Sequence, residues 1–229
     1  MKIGIMQPYF MPYIGYFQLM GAVDKYVVYD DVNYIKGGWA SRNNILINGE
    51  KKMFTIVLKG ASPNKRFNEI EIGDDFHKLM RTLEMNYSKA SHFQDIMNLL
   101  HIIISYSERQ LAKFLANSYK EILKYLNIQT EIIISSDLQK NDLLKGKDKV
   151  IHICKLLGAD TYYNAIGGQE LYDKNEFEEN GIQIKFLKTS IIQYPQLAKN
   201  FIPGLSIIDV LMNNSIENAN NLLNKYNLI

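Results

Sequence analysis

The sequence predicts an α/β fold: a mostly parallel sheet with helices on both faces, an inserted β-hairpin and a helical C-terminal end. Short apolar runs alternate with helical patterns along the chain, which is typical of βαβ architecture. The 229 residues, 47% of them hydrophobic, are enough to bury a full core. We therefore expect a single domain over residues 1–229, with a mainly helical segment at about 75–128.

The first βαβ unit is the part around which the rest is organised. Lys2–Met6 is a short apolar run that predicts a buried strand, and Lys25–Tyr29 predicts a second one. Pro12 suits the first turn of the helix between them, and apolar residues recur at helical spacing at Tyr16, Leu19, Met20 and Val23. Since ligands bind at the carboxyl ends of parallel strands, that edge is expected to carry Gln7, Tyr9, Asp30 and Asp31.

A β-hairpin is expected to interrupt the α/β order. Asn48-Gly49 is a strong hairpin-turn signal, with Asn44–Ile47 before it and Met53–Leu58 after it. Beyond the hairpin, the patterns predict a short strand at Phe67–Ile72, a helix at Phe76–Tyr87, and one long helix or two at His92–Leu126.

The second half of the chain predicts three more strands separated by helices. The strands are Thr130–Ser135, Thr161–Tyr163 and Ile182–Leu187. The intervening helices are Asp142–Gly158 and Leu171–Asn180, and Ile207–Met212 and Ile216–Tyr226 are the closing helices. The segment Tyr194–Leu205, with two prolines, is predicted to be a loop.

Composition limits the classes of function. The formal charge of +2 gives no reason to expect nucleic-acid binding. Cys154 is the single cysteine, so no disulfide can form within the chain, which fits a reducing compartment, and we expect it to be a buried small hydrophobe. The start lacks a signal-peptide pattern, and no apolar run approaches the roughly 20 residues of a membrane helix. A cytoplasmic protein without membrane insertion is expected.

No P-loop, dinucleotide-binding glycine pattern or metal-ligand cluster occurs in the sequence, so no metal site is predicted. The adjacent carboxylates of Asp30 and Asp31 at a strand end are the first candidates for chemistry, because such a pair can bind Mg²⁺, a ribose hydroxyl or an amine. An ordinary polar strand end is the equally weighted alternative.

Trp39 and Arg42 are the second candidates. They follow the flexible Gly37-Gly38 pair, and they could stack a base and hold a phosphate. The alternative is a core tryptophan beside a surface arginine. Lys145, Lys147 and Lys149 at a helix start are a further candidate: they could bind an anion, or they could form a solvated basic face. The segment Asn164–Gly168 follows a predicted strand and should reach the same edge of the sheet; the alternative is an ordinary turn.

The motifs QPYFMPYIGYFQLM, VVYDDV and W-x-x-R-N resemble those of the WbqC-like protein family. The resemblance continues through NYSKASHF, ICKLLGADTYYN, NGIQIKF, YPQ and FIPGLSIIDVLMNN, and so covers nearly the whole chain. Members of that family occur in bacterial surface-polysaccharide gene clusters, notably for the O-antigen of lipopolysaccharide. The resemblance therefore implies a role in making or modifying sugar precursors.

The first helix also suggests a fold-level analogy. Tyr13-Ile14-Gly15-Tyr16 lies where nucleotidyltransferases and pantothenate synthetases carry H-x-G-H, so the first unit is expected to be nucleotidyltransferase-like. Tyrosines replace both histidines, which removes the imidazole contacts to phosphate, while Gly15 would still let a nucleotide approach. The analogy suggests activation of a carboxylate followed by its transfer to an amine.

Two classes of function remain open from the sequence. One is an N-acyl or aminoacyl transferase or ligase acting on a nucleotide-linked amino sugar, driven by ATP with Mg²⁺ or by an activated acyl donor. The other is a non-catalytic sugar-nucleotide or glycan-assembly binding protein. The predicted catalytic residues are Asp30, Asp31, Tyr13 and Gln7, and the predicted substrate-binding residues are Tyr9, Gly15, Tyr16, Trp39, Arg42, Asn43, Lys147, Asn164 and Gly168.

Overall fold

The computed structural model describes residues 1–229. In chain order its elements are β1 (Lys2–Met6), α1 (Ile14–Gly21), β2 (Lys25–Val28), β3 (Arg42–Ile47), β4 (Glu50–Thr55), β5 (Leu58–Lys59), β6 (Glu71–Ile72), α2 (His77–Tyr87), α3 (Phe93–Ile104), α4 (Leu111–Tyr125), β7 (Glu131–Ile134), α5 (Gly146–Leu156), β8 (Thr161–Ala165), α6 (Lys174–Glu179), β9 (Gln183–Thr189), α7 (Ile207–Asn213), α8 (Ile216–Leu223) and β10 (Tyr226–Leu228). Short 3-10 turns span Phe67–Glu69, Ser135–Asp137 and Ile166–Leu171. No helix has the length and apolarity that crossing a bilayer requires.

Six strands form the main sheet in the order β10-β9-β8-β1-β2-β7. Every neighbouring pair is parallel except β10 with β9. β1 pairs with β2 in register from Ile3 opposite Lys25 to Met6 opposite Val28. The prediction that the first two strands are parallel neighbours is therefore confirmed.

The chain winds in two directions from β1. From β1 it moves outward through β2 to β7, and it then returns to the other side of β1 and moves outward through β8 to β9. The helices of the two halves cover opposite faces, since α1 and α4 pack in the larger core and α5 and α6 in the smaller one. The predicted α/β fold is confirmed, and its topological switch point lies between β1 and β8.

The alternation in β1 explains how one short strand serves both cores. Ile3 and Ile5 belong to the smaller core. Gly4 points to the other face, where an added Cβ would lie 3.3 Å from the Tyr26 ring and 3.4 Å from the Leu19 side chain. The missing side chain therefore lets α1 pack closely on the sheet.

Several helices and strands begin or end at other residues than the sequence predicts. The hairpin is confirmed as β3 and β4, and the long helical segment is two helices, α3 and α4. The predicted helix at Ile216–Tyr226 is wrong at its end, because Tyr226–Leu228 pairs with β9 as an antiparallel edge strand. The helices predicted from Asp142 and from Leu171 begin only at Gly146 and Lys174, and the strand predicted at Phe67–Ile72 is a 3-10 turn followed by β6.

The loop after β1 is fixed to α4 by one buried hydroxyl. The Tyr9 N–H donates to Tyr119 Oη over 2.6 Å, and Tyr119 Oη donates to the Tyr9 carbonyl over 2.6 Å. The Phe10 N–H donates to the Ala40 carbonyl, which ties the same loop to the segment before β3. Tyr119 thus satisfies two backbone groups that have left the sheet.

Replacing Tyr119 with Phe should destabilise the fold by about 1–3 kcal/mol, because it leaves the Tyr9 N–H and carbonyl unpaired. Urea unfolding measures the loss. Tyr125→Phe on the same helix is the control, and a change within about 0.5 kcal/mol is expected there. Equal, small losses in the two variants would show that the Tyr119 hydroxyl does not hold this loop.

Candidate functional site

Two adjoining cavities lie at the carboxyl ends of the central strands. The first, of about 400 Å³, lies at the switch point between β1 and β8 and is called here the switch-point chamber. The second, of about 290 Å³, is called the aromatic chamber. Tyr9 and Tyr16 line both chambers, with their ring centroids 5.1 Å apart, so this tyrosine pair forms a shared wall.

The start of α1 faces the aromatic chamber through Pro12, Tyr13 and Tyr16. Tyr13 occupies the N-cap position but gives no side-chain cap. Its ring lies on Gly15, where a Cβ would overlap the ring atoms. Gly15 is therefore required for the placement of the Tyr13 ring, which explains the glycine in this segment without a nucleotide.

Trp39 lines the aromatic chamber and is 43% exposed. The Arg42 guanidinium carbon lies 5.7 Å from the centre of its ring. The Arg42 side chain forms no ion pair or hydrogen bond within the protein, and its Nε is buried without a partner. A partly buried guanidinium that lacks a carboxylate is suited to bind an anionic ligand.

Asn43 and Asn44 both line the aromatic chamber, but only the Asn43 side-chain amide is hydrogen-bonded within the protein. The Asn43 side chain donates to the Met11 carbonyl over 2.7 Å and accepts from the Asn44 N–H over 2.8 Å. The Asn44 side chain, in a residue only 9% exposed, forms no hydrogen bond within the protein. The predicted binding residues include Asn43 but not the adjacent Asn44, because the sequence does not show which of the two amides is already hydrogen-bonded.

Amide and hydroxyl groups, without ionised side chains, line the switch-point chamber. Gln7 and Asn164 lie at the ends of β1 and β8, and Gly168 follows Asn164 in the next turn. Gln7 Oε1 accepts weakly from the Tyr9 hydroxyl over 3.4 Å. The chamber is thus polar at the sheet edge and apolar on its walls, which include Ile5 and Leu171.

Asp30 is fully buried and lines neither chamber. Its Oδ1 accepts from the Ser136 N–H over 2.9 Å and its Oδ2 from the Ser136 hydroxyl over 2.6 Å. Burial raises the pKa of the Asp30 carboxyl above its usual value, against the lowering effect of these two hydrogen bonds. The carboxylate joins the end of β2 to the turn after β7.

Asp31 is the centre of a buried cation cluster. Its Oδ2 lies 2.8 Å from Lys140 Nζ and 2.7 Å from Lys149 Nζ, and all three side chains are at most 6% exposed. Burial alone would raise the pKa of Asp31, but the two lysines outweigh it and hold the pKa of that carboxyl below its usual value. Asp31 and Lys149 line a separate basic cavity of about 280 Å³, together with Arg66 and Lys145.

Lys147 points away from this cluster and pairs with Glu176 on α6, with its side chain 45% exposed. Of the three lysines at the start of α5, Lys149 is the one that the fold buries at the strand ends. Tyr29 connects the two regions, because it lines both the basic cavity and the switch-point chamber.

A third cavity, of about 440 Å³, lies beside Tyr13 under the loop between β9 and α7. That loop is held by Asp209, which accepts from the hydroxyls of Tyr87 and Tyr194 and from the Gln196 amide over 2.7–2.9 Å. Tyr194 and Gln196 of the YPQ segment and Asp209 of the IIDV segment therefore stabilise this loop. Burial raises the pKa of Asp209 above its usual value.

The structure brings most of the predicted site residues to one edge of the sheet. Those lining the two chambers are Gln7, Tyr9, Tyr13, Tyr16, Trp39, Asn43, Asn164 and Gly168. Asp30, Asp31, Arg42, Gly15 and Lys147 line neither chamber. No group of three or more His, Cys, Asp or Glu side chains is arranged to hold a metal ion.

The fold and the cavities define a doubly wound α/β protein with a cleft at the switch point of its sheet. The chain belongs to the WbqC-like protein family, whose model matches residues 7–221. It is 30% identical over 218 residues to the uncharacterized protein Rv1507c of Mycobacterium tuberculosis, covering 93% of each chain. No solved structure was found to match the chain.

The two neighbouring carboxylates should respond oppositely to neutralisation. Asp31→Asn leaves two buried lysines without a counter-ion and should cost about 3–5 kcal/mol at neutral pH. Asp30→Asn keeps groups that can bond Ser136 and removes a buried charge, so it should be near neutral or stabilising. Urea unfolding of both variants and the native protein at neutral pH measures the difference.

The pH dependence of the two variants' stability follows from the pKa shifts of Asp31 and Asp30. The stability that Asp31 contributes is present above its unfolded pKa, and it is lost as the pH falls through the lowered folded value. For Asp30, any gain from Asp30→Asn shrinks as the pH falls below the raised folded value, because the native carboxyl is then neutral too. Equal losses in the two variants at neutral pH would contradict this assignment.

Proposed function

We propose that this protein is an enzyme of surface-polysaccharide precursor synthesis that transfers or ligates an acyl or aminoacyl group onto a nucleotide-linked amino sugar in the cytoplasm. The observation that carries the proposal is the pair of chambers that share the wall formed by Tyr9 and Tyr16. A nucleotide-linked sugar can span these two chambers, and an acyl donor in the third cavity, which shares Tyr13 and Gly204 with the aromatic chamber, would bring the reactive ends close together, as group transfer requires.

The nucleotide-linked sugar supplies groups that match the free side chains of the cleft. Trp39 offers an exposed ring face for stacking against a ring of the ligand. Arg42, which lies beside Trp39 but outside the lining of both chambers, offers a planar cation without a protein partner, which suits a diphosphate. Asn44 adds a free amide in the aromatic chamber, for hydroxyl or carbonyl groups.

The reaction exchanges the bond from the acyl carbon to its leaving group for a bond to nitrogen, and it moves one proton. The amino nitrogen of the sugar attacks the acyl carbonyl carbon, a C–N bond forms, the bond to the thiol or phosphate leaving group breaks, and the amine proton departs with that leaving group. Tyr13, which lines both the aromatic chamber and the third cavity, is proposed to orient the acyl donor, and Gln7 to contact the nucleotide-linked ligand in the switch-point chamber.

The carboxylate pair does not fit a magnesium site. Both oxygens of Asp30 are bonded to Ser136, and Asp31 faces Lys140 and Lys149. Mg²⁺ needs free carboxylate oxygens, so no step is assigned to a metal ion at this pair. We propose instead that Asp30 and Asp31 act as positioning residues that fix the strand ends, and that the donor arrives already activated.

A binding protein for sugar nucleotides is the second candidate. It is favoured by the absence of Asp, Glu, His and Cys among the residues that line the two chambers. The two functions differ in their product. The enzyme converts a nucleotide-linked amino sugar and an acyl thioester into an N-acylated sugar, which mass spectrometry detects as a mass increase. The binding protein forms no such product.

Arg42→Ala should weaken binding of the nucleotide-linked sugar about tenfold or more, because each charge-assisted hydrogen bond is worth about 1.5–3 kcal/mol. Arg42→Lys should restore only part of the affinity, because a point charge cannot replace the planar fork. Trp39 is the single tryptophan, so its fluorescence reports ligand binding in the aromatic chamber.

Arg81→Ala, an exposed change on α2, is the matched control and should leave the affinity unchanged. If Arg42→Ala binds as tightly as the native protein, Arg42 does not hold the phosphate. If the native protein binds the sugar but yields no acylated product with any of a panel of acyl thioesters, the binding-protein reading replaces the enzyme.

A further inference from the structure

We infer that the switch-point chamber is the subsite for a keto nucleobase (uracil, thymine or guanine) and that Asn164 selects it by donating a hydrogen bond to a ring carbonyl. The inference rests on the proposed function for the identity of the nucleotide-linked ligand, and it adds which part of that ligand each chamber takes. It is carried by two polar groups, Asn164 Nδ2 and the Tyr29 hydroxyl, that belong to residues lining the chamber and have no partner in the protein.

The Asn164 amide is held with its donor nitrogen beside Gly168, and both residues line the chamber. The residue is 6% exposed, and its Oδ1 accepts from the Ala165 N–H over 2.7 Å. That bond fixes the amide orientation, and Nδ2, on the other side, donates to no acceptor in the protein. This nitrogen belongs to a buried residue, lies beside a cavity and has no protein acceptor, so it is available to an acceptor supplied by a ligand.

Gly168 leaves room for this amide. A Cβ added at Gly168 would lie 2.5 Å from Asn164 Nδ2, closer than real atoms approach. At Gly167 a Cβ would meet nothing within 4 Å. The glycine pair after β8 therefore has one position fixed by the Asn164 side chain and one that faces open space.

Tyr29 supplies the second free group. It lines the same chamber, and its hydroxyl is buried without a hydrogen-bond partner. Gln7, at the end of β1, adds an amide whose only bond is the weak one from Tyr9. The sheet edge of the chamber thus offers several uncharged hydrogen-bonding groups.

The remaining walls suit a flat neutral ring. They include the side chains of Ile5, Met6, Ile35, Leu171 and Tyr172. No Lys, Arg, Asp, Glu or His lines the chamber, so phosphates are better placed elsewhere. A nucleobase has polar edges and apolar faces, and it matches this distribution.

The loop after β2 connects this subsite to the rest of the ligand. Ile35 lines the switch-point chamber, and Trp39 lines the aromatic chamber. Between them in the chain, the Cβ position of Gly37 lies 3.7 Å from Arg42 Nη2. A base in the first chamber and a sugar against Trp39 in the second would therefore place the diphosphate near the Arg42 guanidinium.

Calorimetric titration of two matched nucleotide pairs tests the base assignment. UDP and CDP differ by a keto or amino group on the ring, as do IDP and ADP. The native protein should bind the keto member of at least one pair about tenfold more tightly, because the amino member sets a donor against Asn164 Nδ2. Asn164→Asp keeps the oxygen bonded to Ala165 and replaces the donor by an acceptor, so it should reverse that preference.

Asn98→Asp, an exposed change on α3, is the control and should keep the native preference. Tyr29→Phe is the second variant: it removes a hydroxyl without a protein partner, so the melting temperature of the free protein should not fall while binding of the preferred nucleotide weakens several-fold. If the Tyr29 hydroxyl had a purely structural role, Tyr29→Phe would lower both the melting temperature and the affinity for the nucleotide.

Three results would overturn the inference. The native protein could bind both members of each pair equally, it could prefer the amino members, or Asn164→Asp could weaken the binding of both members equally. Its failure is distinguishable from that of the proposed function. Acyl transfer without base discrimination would overturn the base subsite alone, and base discrimination without acyl transfer would overturn the enzyme alone.

Discussion

The reversal of winding between β1 and β8 is the constraint on which the rest of the structure depends. The connections from these two neighbouring strands leave toward opposite sides of the sheet, so no crossover covers the carboxyl ends between them. The loop after β1 and the turn after β8 separate at that point and leave the switch-point chamber. The bond pair between Tyr9 and Tyr119 then fixes the first loop over the larger core, which places Tyr9 in the wall that the two chambers share.

Much of the fold is predictable because its signals are local. Lys2–Met6 and Lys25–Val28 are apolar runs of strand length, and Asn48-Gly49 sets the hairpin without reference to the rest of the chain. β10 was missed because nothing local marks Tyr226–Leu228 as a strand: it exists because β9 offers a free edge. The start of α5 was misplaced for a similar reason, since the segment before it is held by contacts such as Lys140 with Asp31.

The sequence predicts which residues lie at the carboxyl edge of the sheet, but not how each side chain is used there. Gln7, Tyr9, Asn164 and Gly168 were correctly placed at the carboxyl edge, because parallel strands put their ends together. The sequence does not show which polar groups are already satisfied. Asp30 is bonded to Ser136, 106 residues further along the chain, whereas the Asn44 amide and Asn164 Nδ2 have no partner in the protein. Buried groups with partners stabilise the strand ends, and those without partners remain available for contacts that the protein does not make itself.

The central claim is that ligand binds across the two chambers at the switch point. A crystal structure of the protein soaked with a nucleotide-linked amino sugar tests it most directly. The account predicts electron density that spans the switch-point and aromatic chambers, passing the shared wall of Tyr9 and Tyr16. Density in the basic cavity beside Lys149 and Arg66, with both chambers occupied only by solvent, would contradict it.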